Sequence, residues 1–206
     1  IDHSGRYAYA NQPIIAQWNL CRLAETVLPL IDKDHDKAVQ LASDVINQFS
    51  QQYQNKWHAM MRSKIGLIDK MDGDDKLVSD LLDWMQKTKA DYTNTFFDLS
   101  YRDSASETMN QDNIFMDWYQ CWRNRLQQSD SSFEAAQLLM RKPNPVVIPR
   151  NHQVEKALEA ANEGHFELFN KLASILKAPY SNTESAQPYQ QKPAPGERVY
   201  QTYCGT

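Results

Sequence analysis

The sequence predicts an all-α protein, and three observations carry that prediction. Apolar residues recur at three- and four-residue steps through the first 176 positions. No segment alternates apolar and polar residues as a half-buried strand does, and no internal repeat is present. Glycines and prolines such as Gly66, Gly73, Pro143, Pro145 and Gly164 fall between the periodic stretches, where they stop one helix before the next begins.

Taken in order, residues 1–10 lack a helical period and read as a loop. Asn11 is placed to cap a first helix, with Pro13 in its opening turn, where a missing N–H costs nothing. Ile14, Trp18, Cys21 and Val27 share one side of that helix, and Leu20, Leu23 and Leu30 widen the apolar surface. Such a circumference predicts a central helix, which Pro29 ends or kinks. A second helix over about 35–54 carries Ala38, Leu41, Val45, Phe49 and Tyr53, and a third, from Lys56 to Ile65, carries Trp57, Met60, Met61 and Lys64. Leu77, Leu81, Leu82 and Met85 mark a fourth, capped by Asp74 or Asp75.

Residues 91–101 and 113–127 are further helices, separated by a polar loop from Arg102 to Gln111. Phe133, Leu138 and Leu139 continue the pattern up to Pro143 and Pro145. Asn151 opens a helix whose inward face is Val154, Leu158 and Ala161; Gly164 closes it, and Phe166, Phe169, Leu172 and Ile175 form the last. From Ala178 the chain becomes polar, with Pro179, Pro188, Pro193 and Pro195 among Tyr180, Tyr189, Tyr200 and Tyr203. The organisation expected is a helical domain over 1–177 and an extended tail over 178–206, pinned across the helices by its tyrosines.

Composition narrows the function classes. With 206 residues and a net charge of -4, the chain lacks the basic balance of a general nucleic-acid binder. No apolar run is as long as a membrane span and no secretory signal is visible, so neither nucleic acid nor a membrane is expected as a partner. Three cysteines, Cys21, Cys121 and Cys204, have no disulfide-framework spacing, which leads to the expectation of a reducing, cytoplasmic setting. The chain opens on Ile1 rather than Met, as a processed or truncated product would.

The clusters that mimic chemistry fail on spacing. Asp32, Asp34 and Asp36 begin like a calcium loop, but Lys37 and Ser43 occupy the positions that need Gly and Glu. Asp69, Asp72, Asp74 and Asp75 also miss that spacing, so helix capping and solvation are expected for both groups. His3, His35, His58, His152 and His165 are scattered singly, without zinc-site spacing. Cys21 and Cys121 lie beside tryptophans on helices and read as packed residues. Cys204, near the end of an apolar-poor segment, is the accessible thiol and the redox candidate. Arg6, Arg22, Arg123, Arg125, Arg141 and Arg150 have no spacing that dictates an anion site. No phosphate-cradling glycine loop, nucleophile elbow or kinase triplet occurs.

Four stretches carry a family resemblance. They are GRYAYANQP (Gly5–Pro13) running into WNLCRLAE (Trp18–Glu25), DYTNTF (Asp91–Phe96), NPVVIPRNHQVEKAL (Asn144–Leu158) and the terminal YQTYCGT (Tyr200–Thr206). In this order, and spanning nearly the whole chain, they closely resemble the selenoprotein O (YdiU-type) family. Tyr203, in place of a phenylalanine, and Phe97, where relatives often carry arginine, depart from its pattern.

The resemblance implies a protein-kinase-like fold that transfers AMP from ATP to Ser, Thr or Tyr hydroxyls of proteins. This chain would be its helical C-terminal part: the lower region of the kinase-like lobe, family-specific helices and the tail. ATP and Mg (or Mn) would serve the full-length enzyme, with none bound to this chain. The nucleotide-binding lobe, the catalytic loop and the metal-binding motif precede the GRYAY segment in the family, so no catalytic, cofactor or metal residue carries over. The partners implied are that missing N-terminal lobe and protein substrates. Animal members carry selenocysteine at the position of Cys204, which implies a redox role there, with a partner thiol expected upstream. From the residues alone, the alternative is a freestanding helical protein-interaction module without catalysis. A thiol oxidoreductase using Cys204 alone lacks a local resolving cysteine.

Overall fold

The computed structural model describes residues 5–6, 8–102, 107–129 and 132–197. All regular structure among them is helical, as the periodicity requires, and they divide into two compact units, Ile1–Met60 and Met61–Thr206.

In the first unit a short 3-10 turn, Tyr9–Asn11, leads into α1, Gln12–Ile31. Asn11 does sit at the cap position, but its side chain makes no cap bond, and its Nδ2 instead donates to the Gly5 carbonyl at 2.8 Å. Pro29 does not end the helix, which continues to Ile31 before Asp32 turns extended. Helix α2, His35–Asn47, packs on α1 and is capped by Asp34, whose carboxylate accepts from the Asp36 and Lys37 N–H groups. The acidic run therefore acts as capping, as its spacing suggested.

The single helix expected over about 35–54 is two. It breaks at Gln48, whose N–H reaches back to Val45 O while its side-chain amide donates to Asp44 O, tightening the last turn of α2. Phe49 and Tyr53 consequently belong to α3, Phe49–Lys64. Helix α1 also departs from expectation. None of its residues is fully buried, and Ile14 and Leu30 are 67% and 85% exposed.

Of the described buried apolar residues, all but Ala38 belong to the second unit. It includes the end of α3, then α4 (Asp74–Thr88), α5 (Tyr92–Tyr101), the one-turn α6 (Glu107–Asn110), α7 (Asn113–Gln127), α8 (Phe133–Met140), α9 (Asn151–Asn162) and α10 (Glu167–Leu176). Helix α6 interrupts what reads in sequence as a loop. Aromatic side chains form a continuous spine in this unit: Trp84 to Phe115 at 4.7 Å between centroids, Phe115 to Trp118 at 5.5 Å, Trp118 to Trp122 at 5.7 Å. Each indole has an acceptor for its N–H: Trp84 on Asp112 Oδ2, Trp118 on Leu77 O and Trp122 on Ile65 O. Large rings can then be buried without stranding a donor.

Gly66 turns the chain after α3 at φ +76°, with Ala136 and Met140 of α8 packed so close that a Cβ would stand 3.0 Å from Ala136 O. At the end of α9, Gly164 takes φ +90° and His165 N–H returns to Ala160 O, the C-terminal closure that glycine there predicts. The inward face of α9 is different from the one expected: His152 and Ala157 are buried, whereas Leu158 is 45% exposed.

Beyond α10 the tail is not simply extended. A 3-10 turn, Glu184–Ala186, and a short helix α11, Gln187–Gln190, lie along the unit. Val146 and Val147 donate their N–H groups to Pro179 O, and both pack with Ala186, Tyr189, Phe97 and Tyr101. Phe97 and Tyr101 stack at 4.7 Å.

Candidate functional site

Two of the sequence motifs meet in space. Asp91 is in extended conformation before Tyr92 and caps α5, accepting the Asn94 N–H at 2.9 Å. Arg150, also extended, stands immediately before α9. Its guanidinium grips Asp91 in a two-pronged pair, Nη1 to Oδ2 at 2.7 Å and Nη2 to Oδ1 at 3.0 Å. Nη2 also donates to Asn94 Oδ1 at 3.1 Å. Asn94 then uses its Nδ2 to hold Gln190 O of the tail at 3.1 Å. Burial opposes ionisation of Asp91, but hydrogen bonds from Arg150 and the Asn94 N–H, with the charges of Arg150 and Lys192, hold its carboxyl below the usual range.

The other end of the second motif is tied down as well. Asn144, 1% exposed, donates through Nδ2 to Lys64 O at 2.8 Å and to Ser100 Oγ at 3.3 Å, and accepts from Lys64 Nζ at 2.9 Å. Lys64 Nζ also donates to Pro143 O and lies 4.8 Å from the Phe96 ring centroid. Burial lowers the pKa of this ammonium. Residues 144–150 are thus clamped to α3 and α5 at both ends.

Beside the clamp is a cleft of about 560 Å³, lined by Trp84, Thr88 and Lys89, by the cap residue Asp91, by Asn94 and Asp98 of α5, and by Gln191 and Lys192 of the tail. Its carboxylates are already engaged. Asp98 pairs with Arg102 at 2.7 Å, and Asp112, also on the lining, receives the Trp84 N–H and caps α7. Among the described residues no group of three or more His, Cys, Asp or Glu side chains is arranged to hold a metal ion. No helix among them is long and apolar enough to cross a membrane.

A second buried ion pair was invisible in sequence. The sequence offers Asp74 or Asp75 as the cap of α4, but Gly73 occupies the cap position and both aspartates lie in the first turn. The Asp74 carboxylate, 1% exposed, instead accepts from Arg125 Nε at 2.6 Å and from the Met71 N–H. Arg125 completes its bonding on Asp69 O and Ser129 Oγ. Of the other arginines, Arg22 pairs with Glu25 and Arg141 donates to Ser100 O beside the Tyr101 ring, whereas Arg123 lies over the Phe133 ring with its Nη1 buried and without a hydrogen-bond partner. Of the thiols, Cys21 is half-buried. Cys121 is exposed rather than packed, because the buried stripe of α7 runs through Phe115, Trp118, Trp122 and Leu126. Cys204 lies outside the described residues.

The arrangement is a clamp between two sequence motifs. The model of the family described as "Protein adenylyltransferase SelO" matches residues 1–177. The chain belongs to this family. It is 46% identical over 207 aligned positions to the protein nucleotidyltransferase YdiU of Nitrosococcus oceani, covering 100% of this chain and 42% of that relative. The protein of the same name from Alcanivorax borkumensis is 46% identical, with 43% of its length covered, and that from Bacillus cereus 44% identical, with 42% covered. The chain therefore spans about two fifths of the length of the curated relatives it matches. The SelO membership read from the motifs is established, and with it a nucleotidyltransferase family.

Proposed function

We propose that this chain is the C-terminal part of a protein adenylyltransferase that transfers AMP from ATP to Ser, Thr or Tyr hydroxyls, and that it acts there as helical scaffold and tail. The observation that carries the reading is the shape of the match: identity to nucleotidyltransferases runs along 100% of this chain yet covers only 42% of the relative. The reaction is attack of a protein hydroxyl oxygen on the α-phosphorus of ATP, with pyrophosphate leaving and the hydroxyl proton passing to a base. Magnesium or manganese, when bound, would neutralise phosphate charge. Among the described residues no group of three or more His, Cys, Asp or Glu side chains fits such an ion.

What this chain's residues do in the proposal is hold shape. The Asp91–Arg150 pair and the Asn144–Lys64 contacts lock 144–150 against α3 and α5. Exposed apolar residues on more than one side of α1, among them Ile14, Trp18 and Leu23, are surface that the kinase-like remainder of a longer chain would cover. Cys204 is the redox candidate of the tail, pairing with a thiol elsewhere in the longer protein. Peptide mapping of the oxidised long protein that always finds Cys204 free would contradict that role.

The function is tested with α-labelled ATP, Mg and a protein acceptor, comparing this chain with the longest polypeptide its gene encodes. Label on Ser, Thr or Tyr in the presence of the long form supports the proposal. Absence of transfer by the long form removes it and leaves the helical interaction module as the reading.

A further inference from the structure

We propose that residues 187–192 form a reversible strap that gates the cleft beside the Asp91–Arg150 clamp, so that opening the cleft and releasing the tail are one event. The cleft has a fixed side and a removable side. Trp84, Thr95 and Met109 on its lining are 7%, 2% and 7% exposed and belong to the helical core. Gln191 and Lys192, both exposed, are the part of the lining that comes from the tail, and they follow directly on the four-residue helix α11.

The two sides differ in how firmly they are held. Between 178 and 197 the single buried residue is Ala186, a side chain with little apolar area to contribute. Downstream of it, Tyr189 packs partly buried against Val146 and Val147, and Asn94 Nδ2 holds Gln190 O. Gln190 also carries a cost: its Nε2 is buried without an acceptor, a donor that regains water once the strap lifts. Lys192 adds attraction to Asp91, but from an exposed position that salt screens. Few buried contacts and one stranded donor are the features of a segment that opens well below the global unfolding free energy.

Asn94 is the residue through which the clamp reads the strap, because it takes a bond from Arg150 with Oδ1 and gives one to Gln190 O with Nδ2. Asn94→Asp keeps the acceptor for Arg150 and sets a carboxylate oxygen against the Gln190 carbonyl. In this variant of the whole chain, amides of α11 should exchange about tenfold faster, the effect of one lost hydrogen bond plus the new repulsion. Hydroxyl-radical oxidation should rise in parallel at Trp84 and Met109, while Trp122 and Met140, each 0% exposed and away from the cleft lining, stay unchanged. Faster α11 exchange without added oxidation at Trp84 and Met109 would mean a loose tail and no gate, and unchanged α11 exchange would remove the strap altogether. If the variant unfolds, with Trp122 and Met140 oxidised too, the unaltered chain decides. Its α11 amides must exchange at low urea by an opening smaller than global unfolding, with oxidation of Trp84 and Met109 rising at the same urea while Trp122 and Met140 stay protected; exchange at the global rate alone, or sub-global exchange without that oxidation, would overturn the proposal.

Discussion

Removing the charge at Asp91 should damage this fold more than its position at a helix start suggests. Asp91→Ala deletes three things at once: two charge-assisted bonds from Arg150, the cap on α5, and the counter-charge of a guanidinium whose side chain is only 8% exposed. An uncompensated buried partner costs about 3–5 kcal/mol and a lost cap about 1 kcal/mol. The Asp91 side chain is itself 20% exposed, which lets water relieve part of the change, so we expect about 4 kcal/mol in total. Arg150→Met should cost less, about 2 kcal/mol, because the carboxylate left behind keeps the Asn94 N–H and some water. The double variant should then be no worse than Asp91→Ala alone, a coupling of about 2 kcal/mol. Urea unfolding at pH 7, resolved by amide exchange in α5 and α9, measures all three. Losses that add within about 0.5 kcal/mol would refute the claim that these side chains act as a pair. The pair also has a pH signature. A carboxylate with a lowered folded pKa contributes stability that is complete above its unfolded value near 3.8 and lost as pH falls through the folded one.

Two further outcomes follow from burial and backbone. Lys64 has its pKa lowered by burial, so between its folded value and 10.5 the unfolded chain binds more protons; stability relative to Lys64→Met should rise with pH across that window, and urea midpoints that fall instead would contradict it. Gly66→Ala should cost about 3 kcal/mol, from left-handed strain plus a Cβ 3.0 Å from Ala136 O, whereas Gly73→Ala, also at positive φ but with open space around it, should cost about 1 kcal/mol; equal shifts in thermal midpoint would refute the packing argument.

Much of this architecture is legible in the sequence, for a local reason. Helices α5 and α7, Tyr92–Tyr101 and Asn113–Gln127, begin and end within a residue of the ranges 91–101 and 113–127 that the sequence predicts, since apolar steps are a local signal. What the sequence hides is longer in range. Asp74 reads as a cap because caps are local, but its partner Arg125 is 51 positions away. The break at Gln48 depends on one side-chain amide folding back on Asp44, which periodicity does not register. On α9 the apolar stripe suggests Leu158 faces inward, whereas the Arg150 anchor fixes the helix start and leaves His152 and Ala157 inside. The clamp itself was visible only as two motifs of a resemblance. No spacing rule links positions 91 and 150, and it takes the fold to show why both motifs carry a polar, chargeable residue at those places.

The most direct test of the account is a calorimetric titration of Mg·ATP into this chain and, separately, into the longest polypeptide of its gene. The account expects saturable binding to the long form and no binding heat from this chain in the micromolar range. Micromolar ATP binding by this chain would contradict the claim that it is the helical support of a nucleotidyltransferase whose nucleotide chemistry lies elsewhere in the polypeptide.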